Sequence, residues 1–314
     1  MEKRYLKFYL ITNRKGKGGA QVYFEDILNC LGTEDAIVFD LKQDGLFNLI
    51  KRLYTLRSHI SFVSAHSSVA VAIGRIICRI FSIKFFGTIH GWSFKRSGKW
   101  SLEYFVEYIL VFFGGTNVCV SYDDLKIAQR LGYNENILLM NYGQDKRVSI
   151  ESRFDKSVVM VARNSKQKDY SSALRIAEIL PEYSFKFIGE NVPELRRTEH
   201  IPANVELLGH SNNLEVILSQ SKYFMLLSFY EGLPLSALEA LSCDMVLILS
   251  DVGGNAEIFN MGAFGLLVKD NSDRQRVADF IKGSDVPNNV NRQVWLDHFT
   301  RERWTVEVKR IYDQ

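Results

Sequence analysis

Residues 222–259 read KYFMLLSFYEGLPLSALEALSCDMVLILSDVGGNAEIF. The apolar run from Tyr223 to Ser228 predicts a buried strand. Phe229-Tyr230-Glu231-Gly232-Leu233 follows as a turn. Pro234 then stands where a first helical residue belongs, and Leu235, Leu238 and Leu241 give the helix after it an apolar face. Met245 to Leu249 is a second strand, closed by Ser250-Asp251-Val252-Gly253-Gly254, a loop that leads to Glu257. Two carboxylates, Glu231 and Glu239, fall at the helix mouth and about two turns down it. An anion at that mouth meets free backbone N–H groups and the positive end of the helix dipole. The two carboxylates are then left for hydroxyl groups, which points to a sugar or a ribose.

Glu231-Gly232-Leu233-Pro234, then Leu238-Glu239-Ala240, then Ser250-Asp251 and Gly253-Gly254 with Glu257 form a pattern of fixed spacing. It resembles the donor site of retaining glycosyltransferases of family four, the group 1 enzymes of GT-B fold. The resemblance implies an α/β chain of two Rossmann-like, doubly wound parallel-sheet domains facing a cleft. The second would hold a nucleotide-sugar donor, and the first would take the acceptor.

The chain has 314 residues, enough for two domains, with 46% hydrophobic and 24% charged residues, which is globular composition. Cys30, Cys78, Cys119 and Cys243 are scattered without paired spacing, so neither a zinc site nor a disulfide framework is expected, and a cytoplasmic setting is the default. Phe8 to Ile11 is too short an apolar run for a signal peptide, and no run is long enough to span a membrane. The charge is uneven: residues 1–145 hold 18 Lys/Arg against 13 Asp/Glu, and residues 146–314 hold 21 against 23. A basic first half can face an anionic membrane or acceptor, or reflect chance imbalance. No nucleic-acid partner is expected.

Residues 7–145 alternate strands and helices, which argues for a parallel sheet covered on both faces. In the loop Lys15-Gly16-Lys17-Gly18-Gly19-Ala20, Gln21 stands where a dinucleotide fingerprint needs Gly, and no Lys-Ser/Thr closes a P-loop. A plain strand-to-helix turn is one reading. The resemblance implies another, in which Gly18 and Gly19 let the backbone approach the donor phosphate and sugar. His90, in Thr88-Ile89-His90-Gly91-Trp92, ends a predicted strand, where ligands bind in such sheets. The resemblance places it beside the donor sugar. His66 also ends a strand and is a weaker candidate. Tyr104 to Phe113 is expected to be a core helix packed on the sheet. Phe94 to Trp100, with its basic residues and aromatics, is the expected site of any peripheral membrane contact. Val120-Ser121-Tyr122-Asp123-Asp124 reads as a strand followed by an N-capped helix.

The second half restarts the pattern after a polar linker, Arg147 to Ser157. Arg163 and Lys168 match in spacing a basic pair that, in the family, binds the donor diphosphate. Two cations suit a leaving group on which charge grows. Lys166 competes with Lys168 for that role, because the residues around the pair depart from the family pattern. Gly209 and His210 end a strand near where the family holds the nucleotide base.

These readings divide the chain into an acceptor-side domain (1–147), a donor domain (148–290) and a C-terminal helix (291–314) crossing back to the first domain. By the resemblance, His90, Glu231, Arg163 and Lys168 are catalytic. Donor binding falls to Gly18, Gly19, Arg163, Lys168, Gly209, His210, Glu231, Gly232, Leu233, Pro234, Leu235 and Glu239. Glu239 serves the ribose and Glu231 the sugar hydroxyls. A UDP-sugar is favoured as donor and a lipid-linked glycan as acceptor. No metal or cofactor is expected. Two other readings stay open: a sugar-nucleotide epimerase of the same fold, and a non-catalytic partner subunit of a glycosyltransferase.

Overall fold

The structure is a computed structural model and describes residues 5–12, 19–95, 101–149, 152–284 and 288–312. The chain divides into two compact units, Met1–Asn141 with Trp304–Gln314, and Tyr142–Arg303. The first unit contains β1 (Leu6–Ile11), α1 (Gly19–Leu31), β2 (Ala36–Asp40), α2 (Leu41–Asp44), α3 (Leu46–Leu56) and β3 (Ile60–His66). It continues through α4 (Ser68–Phe81), β4 (Phe85–Ile89), α5 (Leu102–Leu110), β5 (Thr116–Cys119), α6 (Tyr122–Leu131) and β6 (Asn136–Leu138). The second unit holds β7 (Phe154–Val161), α7 (Tyr170–Ile179), β8 (Ser184–Ile188), β9 (Val205–Leu208), α8 (Leu214–Gln220) and β10 (Ser221–Leu226). After these come α9 (Leu235–Ser242), β11 (Val246–Ser250), α10 (Asn255–Asn260), β12 (Gly265–Val268), α11 (Arg274–Gly283) and α12 (Val290–His298). The last helix is α13 (Arg301–Tyr312).

Each unit is built on a six-stranded parallel sheet, ordered β2-β1-β3-β4-β5-β6 in the first and β12-β11-β10-β7-β8-β9 in the second. Strand β11 is buried along its whole length, and so is β4, as expected of strands covered on both faces. In β1 the alternation of side chains separates two cores. Phe8 and Leu10 join Leu49 and Leu53 of α3, Val71 of α4 and Leu110 of α5. Tyr9 points the other way, edge-on to Phe24 of α1 and Phe62 of β3. On that second face α13 returns: Trp304 meets the ring of Tyr23, and Tyr312 packs on Phe62 and Phe86.

Strand order reverses between β1 and β3 in the first sheet, and between β7 and β10 in the second. The loops that leave the two neighbouring strands there are where doubly wound sheets bind ligands, at the carboxyl edge. In the second unit those loops are residues 162–169 and 227–234, which contain Arg163, Lys168 and Glu231.

Several expected boundaries shift. The polar stretch read as a linker to Ser157 already belongs to β7 from Phe154 on, because pairing with β8 and β10 satisfies its backbone regardless of side-chain polarity. Residues 291–314 form two helices rather than one. Helix α12 packs on α9 in the second unit, and α13 from Trp304 onward belongs to the first. The largest correction concerns Tyr104–Phe113. Of α5 only Leu110 is buried, and the 3-10 turn Val111–Phe113 buries none of its residues. The segment is apolar on both sides, so the sheet covers one stripe and leaves the other outside. Phe94, assigned to the interfacial stretch, is instead buried between the rings of Trp92 and Tyr104. Residues 96–100 lie outside the described residues.

Candidate functional site

The second unit brings Lys168, Gln167 and Glu231 into contact. The loop after β7 and the turn after β10 are joined through their backbones. The amide of Asp169 donates to Leu227 O at 2.9 Å, and the amide of Phe229 donates to Gln167 O at 2.9 Å. This short antiparallel bridge between Lys168 and Ser228 aims the Lys168 side chain at the buried Glu231. Lys168 Nζ donates to Glu231 Oε1. Gln167 Nε2 donates to Glu231 Oε2 at 3.1 Å and to Tyr230 O at 2.7 Å. Both carboxylate oxygens therefore have a partner, and each keeps a further lone pair for a ligand hydroxyl. Lys168, not Lys166, is the cation turned to the carboxylate; Lys166 and Arg163 are exposed on the same loop.

Glycines set the spacing around this cluster. A Cβ on Gly253 would lie 2.1 Å from Glu231 O, so the loop after β11 rests directly on the Glu231 backbone. Gly253 also has φ +58°, in the left-handed region. Beside it, the Gly254 amide donates to Gly232 O at 2.6 Å. The loop carrying Arg163 is held the same way. A Cβ on Gly189 would lie 2.1 Å from Ala162 O, and the Asn164 amide donates to Glu190 O at 2.8 Å. Gly209 closes that corner, its carbonyl accepting from the Gly189 amide at 3.2 Å, and His210 after it is exposed.

Behind the loops runs a polar chain. Ser250 Oγ accepts from the Ser228 amide at 2.9 Å and donates to Asn271 Oδ1 at 2.7 Å. Asn271 Nδ2 donates to Asp169 Oδ2 at 3.1 Å, while Asp169 Oδ1 caps α7 through the Ser172 amide at 3.0 Å. Asn271, Asp169 and Gln167 were not picked out from the sequence, since no local spacing marks them.

Helix α9 starts at Leu235, with Pro234 as the residue before the first turn rather than within it. No side chain caps it; the Ala237 and Leu238 amides turn back to Pro234 O, and those of Leu235 and Ser236 have no side-chain cap. Glu239 is half-buried one turn in, where the Asn141–Asp145 turn packs over it: a Cβ on Gly143 would lie 2.8 Å from the Glu239 amide. Burial pushes the Glu239 carboxyl up to about 7; Lys146 pulls it down and Glu215 adds to the rise.

The first unit carries His90, Gly19 and His66. His90 follows β4, edge-on to Tyr23 at 4.8 Å between ring centroids, with Nε2 buried and without a hydrogen-bond partner. Burial lowers it to about 4, so the imidazole is neutral at ordinary pH. His66 ends β3, 6.4 Å from His90 between centroids, and is lowered to about 3 by burial and by His90. It is a buried residue held by Ser64 Oγ at 3.1 Å, not an exposed lining group. Gly19 opens α1; Gly18 lies outside the described residues.

Residues 141–288, which contain every element of the Lys168–Glu231 cluster, match the glycosyl transferases group 1 family. The chain carries a group 1 glycosyltransferase domain. Its sequence is 27% identical over 295 residues to the O-antigen biosynthesis glycosyltransferase WbnH of Escherichia coli, covering 84% of this chain and 86% of that protein. It is 24% identical over 253 residues to an Escherichia coli UDP-Gal:alpha-D-GlcNAc-diphosphoundecaprenol alpha-1,3-galactosyltransferase, covering 70% of this chain and 64% of that one. Anabaena HepE, solved in complex with UDP-glucose, superposes with a TM-score of 0.80 at 14% identity, covering 98% of this chain and 100% of HepE. That likeness shows the fold, which is GT-B. In this domain the turn Glu231-Gly232-Leu233-Pro234 and the basic loop of Arg163 and Lys168 are two walls that meet at the Lys168–Glu231 pair.

Gly253→Ala tests how closely these walls approach. It should lower thermal stability by about 2–4 kcal/mol, because the new methyl group meets the Glu231 carbonyl. Gly209→Ala, whose Cβ meets nothing within 4 Å, should leave the melting curve near wild type. Equal curves for the two variants would contradict the close packing.

Proposed function

We propose that this protein is a retaining glycosyltransferase that moves a hexosyl or N-acetylhexosaminyl group from a nucleotide-sugar, UDP-sugar favoured, to a lipid-linked glycan in cell-surface polysaccharide assembly. The observation that carries the reading is the buried Lys168–Glu231 pair beside the uncapped start of α9, with Arg163 on the same loop. A diphosphate suits the free N–H groups, the helix dipole and the two cations together. The hydroxyls of the sugar then suit Glu231, and those of the ribose suit Glu239. Two relatives support the acceptor class by what their names state: one belongs to O-antigen biosynthesis and one acts on a diphosphoundecaprenol-linked sugar. The binding of UDP-glucose by HepE supports the donor class. In this reading the protein works at the cytoplasmic face of the cell membrane.

In the reaction, the bond between the sugar anomeric carbon and the leaving phosphate oxygen breaks. The acceptor oxygen bonds to the same carbon from the same face, and its proton passes to the leaving phosphate. Arg163, Lys168 and the α9 amides stabilise the growing diphosphate charge. The backbone of Gly232 to Leu235 contributes by close approach. By the family resemblance, the neutral imidazole of His90 serves the donor sugar in this scheme. The backbone of Gly209 and His210 holds the base. No metal is required, because the cations and the helix terminus provide the positive charge.

Transfer of labelled sugar from a UDP-sugar to a polyprenyl-diphosphate-linked acceptor tests the reading. Glu231→Ala, Arg163→Ala and Lys168→Ala should each lower kcat by about a hundredfold or more. A Glu231→Ala enzyme with wild-type turnover would overturn the assignment. Glu239 adds a pH signature. Its carboxyl is raised to about 7, so it is ionised above that pH and protonated below it. UDP-sugar affinity should fall by about tenfold as pH drops from about 8 to about 6. Titration calorimetry on Glu239→Gln should show a flat profile over the same range; a profile equal to wild type would remove Glu239 from the ribose.

A further inference from the structure

The first unit exposes more apolar surface than its fold explains. In α3, Leu49 and Leu53 are buried, yet Phe47, Ile50 and Tyr54 recur at helical spacing on the outside. In α5, Leu102, Phe105, Val106 and Ile109 recur at i, i+3, i+4 and i+7, all exposed. Phe47 and Leu102 are each 78% exposed, and Phe112 after α5 is 77% exposed. Helix α4 packs against both α3 and α5 and presents Ile80, 66% exposed. Two helices on one side of the sheet, α3 and α5, therefore offer a second apolar stripe outward, with Ile80 of α4 beside them. An apolar surface of this kind marks an interaction site.

The charge around it identifies the partner. From Gly45 to Leu102 there are nine Lys or Arg and no Asp or Glu. Arg75 is turned inward onto the carbonyls of Gly114 and Gly115, and Lys95 pairs with Asp123. Lys51, Arg52, Arg57 and Arg79 are exposed on the same helices and the turns after them. Arg57 lies 4.1 Å over the ring of Tyr54, which itself packs on Phe81 of α4, so cation and apolar surface are interleaved. On α5 the acid Glu107 accepts from Tyr133 at 3.1 Å, leaving Glu103 in its first turn. A second copy of this chain would bring like-charged faces together in a two-fold interface. An anionic lipid surface complements both features, with the apolar stripes entering the headgroup boundary and the cations meeting the phosphates. Among the described residues no helix is long and apolar enough to cross a membrane, so the contact is peripheral.

We propose that the outer face of α3, α4 and α5 docks the protein on an anionic phospholipid membrane. This deepens the lipid-linked acceptor reading and rests on it for its purpose, which is to bring the enzyme to a substrate anchored in that surface.

The test is co-sedimentation of the full chain with vesicles of phosphatidylcholine alone, or of equal parts phosphatidylcholine and phosphatidylglycerol, with UDP-sugar binding measured in parallel by calorimetry. The protein should pellet with the anionic vesicles only, and salt should release it. The double variant Phe105→Ser with Ile109→Ser should lower the vesicle partition constant by about tenfold or more while leaving UDP-sugar affinity unchanged. Lys51→Glu with Arg52→Glu should weaken it and reduce its salt dependence. Pelleting unaffected by these substitutions would overturn the proposal, and so would no pelleting by a protein that binds UDP-sugar. A concentration-dependent dimer abolished by Phe105→Ser with Ile109→Ser would also overturn it, by assigning the face to a second copy. Vesicle binding without UDP-sugar binding would uphold the docking face and bring down the transferase reading instead.

Discussion

The second unit depends on one buried ion pair. Lys168 and Glu231 are both shielded from water, and a pair in that position is tolerated only when its remaining hydrogen-bonding capacity is met. Gln167 meets it on the second carboxylate oxygen and ties the Tyr230 carbonyl into the same arrangement. The pair can form because β7 and β10 are neighbours at the point where strand order reverses, so their loops emerge side by side. Gly253 and Gly189 then bring two more loops against the backbone of the first two. Glu231 consumes one of the three donors on Lys168 and leaves the rest for an incoming anion. It also holds the flexible lysine stem in place before any ligand arrives, which removes an ordering cost from binding.

The donor-side pattern was legible because its residue types are dictated locally. A glycine that supports a carbonyl 2.1 Å from its missing Cβ, or a proline at a helix entrance, leaves a mark in the sequence itself. Strand positions and the alternating architecture were legible for the same reason, since the apolar runs have strand length and recur with helices between them. Gln167, Asn271 and Asp169 left no such mark. Their roles come from distances across loops separated by 64 residues in sequence for Gln167 to Glu231 and 102 for Asn271 to Asp169. Periodicity also could not assign α5. It shows that a stripe is apolar, but a helix with two apolar stripes gives no sign of which one the sheet covers. Phe94, expected in an interfacial stretch, is core, whereas Phe105, Tyr108 and Phe112 on and after α5 are exposed.

The two units use burial differently. In the first, it keeps His90 and His66 neutral across the physiological range, so neither brings positive charge to a ligand. A neutral His90 next to Tyr23 suits hydrogen bonding to a sugar more than stabilisation of a phosphate. In the second, burial leaves Glu239 poised near neutrality, while Arg163, Lys166 and Lys168 share one loop. The positive charge in the proposed reaction therefore comes from the donor unit. The first unit's cations are concentrated on its outer helices instead.

The central claim is that the crevice between the β7 and β10 loops holds a diphosphate through protein cations and helix amides alone. The most direct measurement is calorimetric binding of UDP against UMP, with and without EDTA, to wild type and Lys168→Met. The account predicts that UDP binds wild type at least about a hundredfold more tightly than UMP. EDTA should not change that ratio, and most of it should vanish in Lys168→Met. Equal affinity for UDP and UMP, or a preference for UDP that EDTA abolishes, would contradict it.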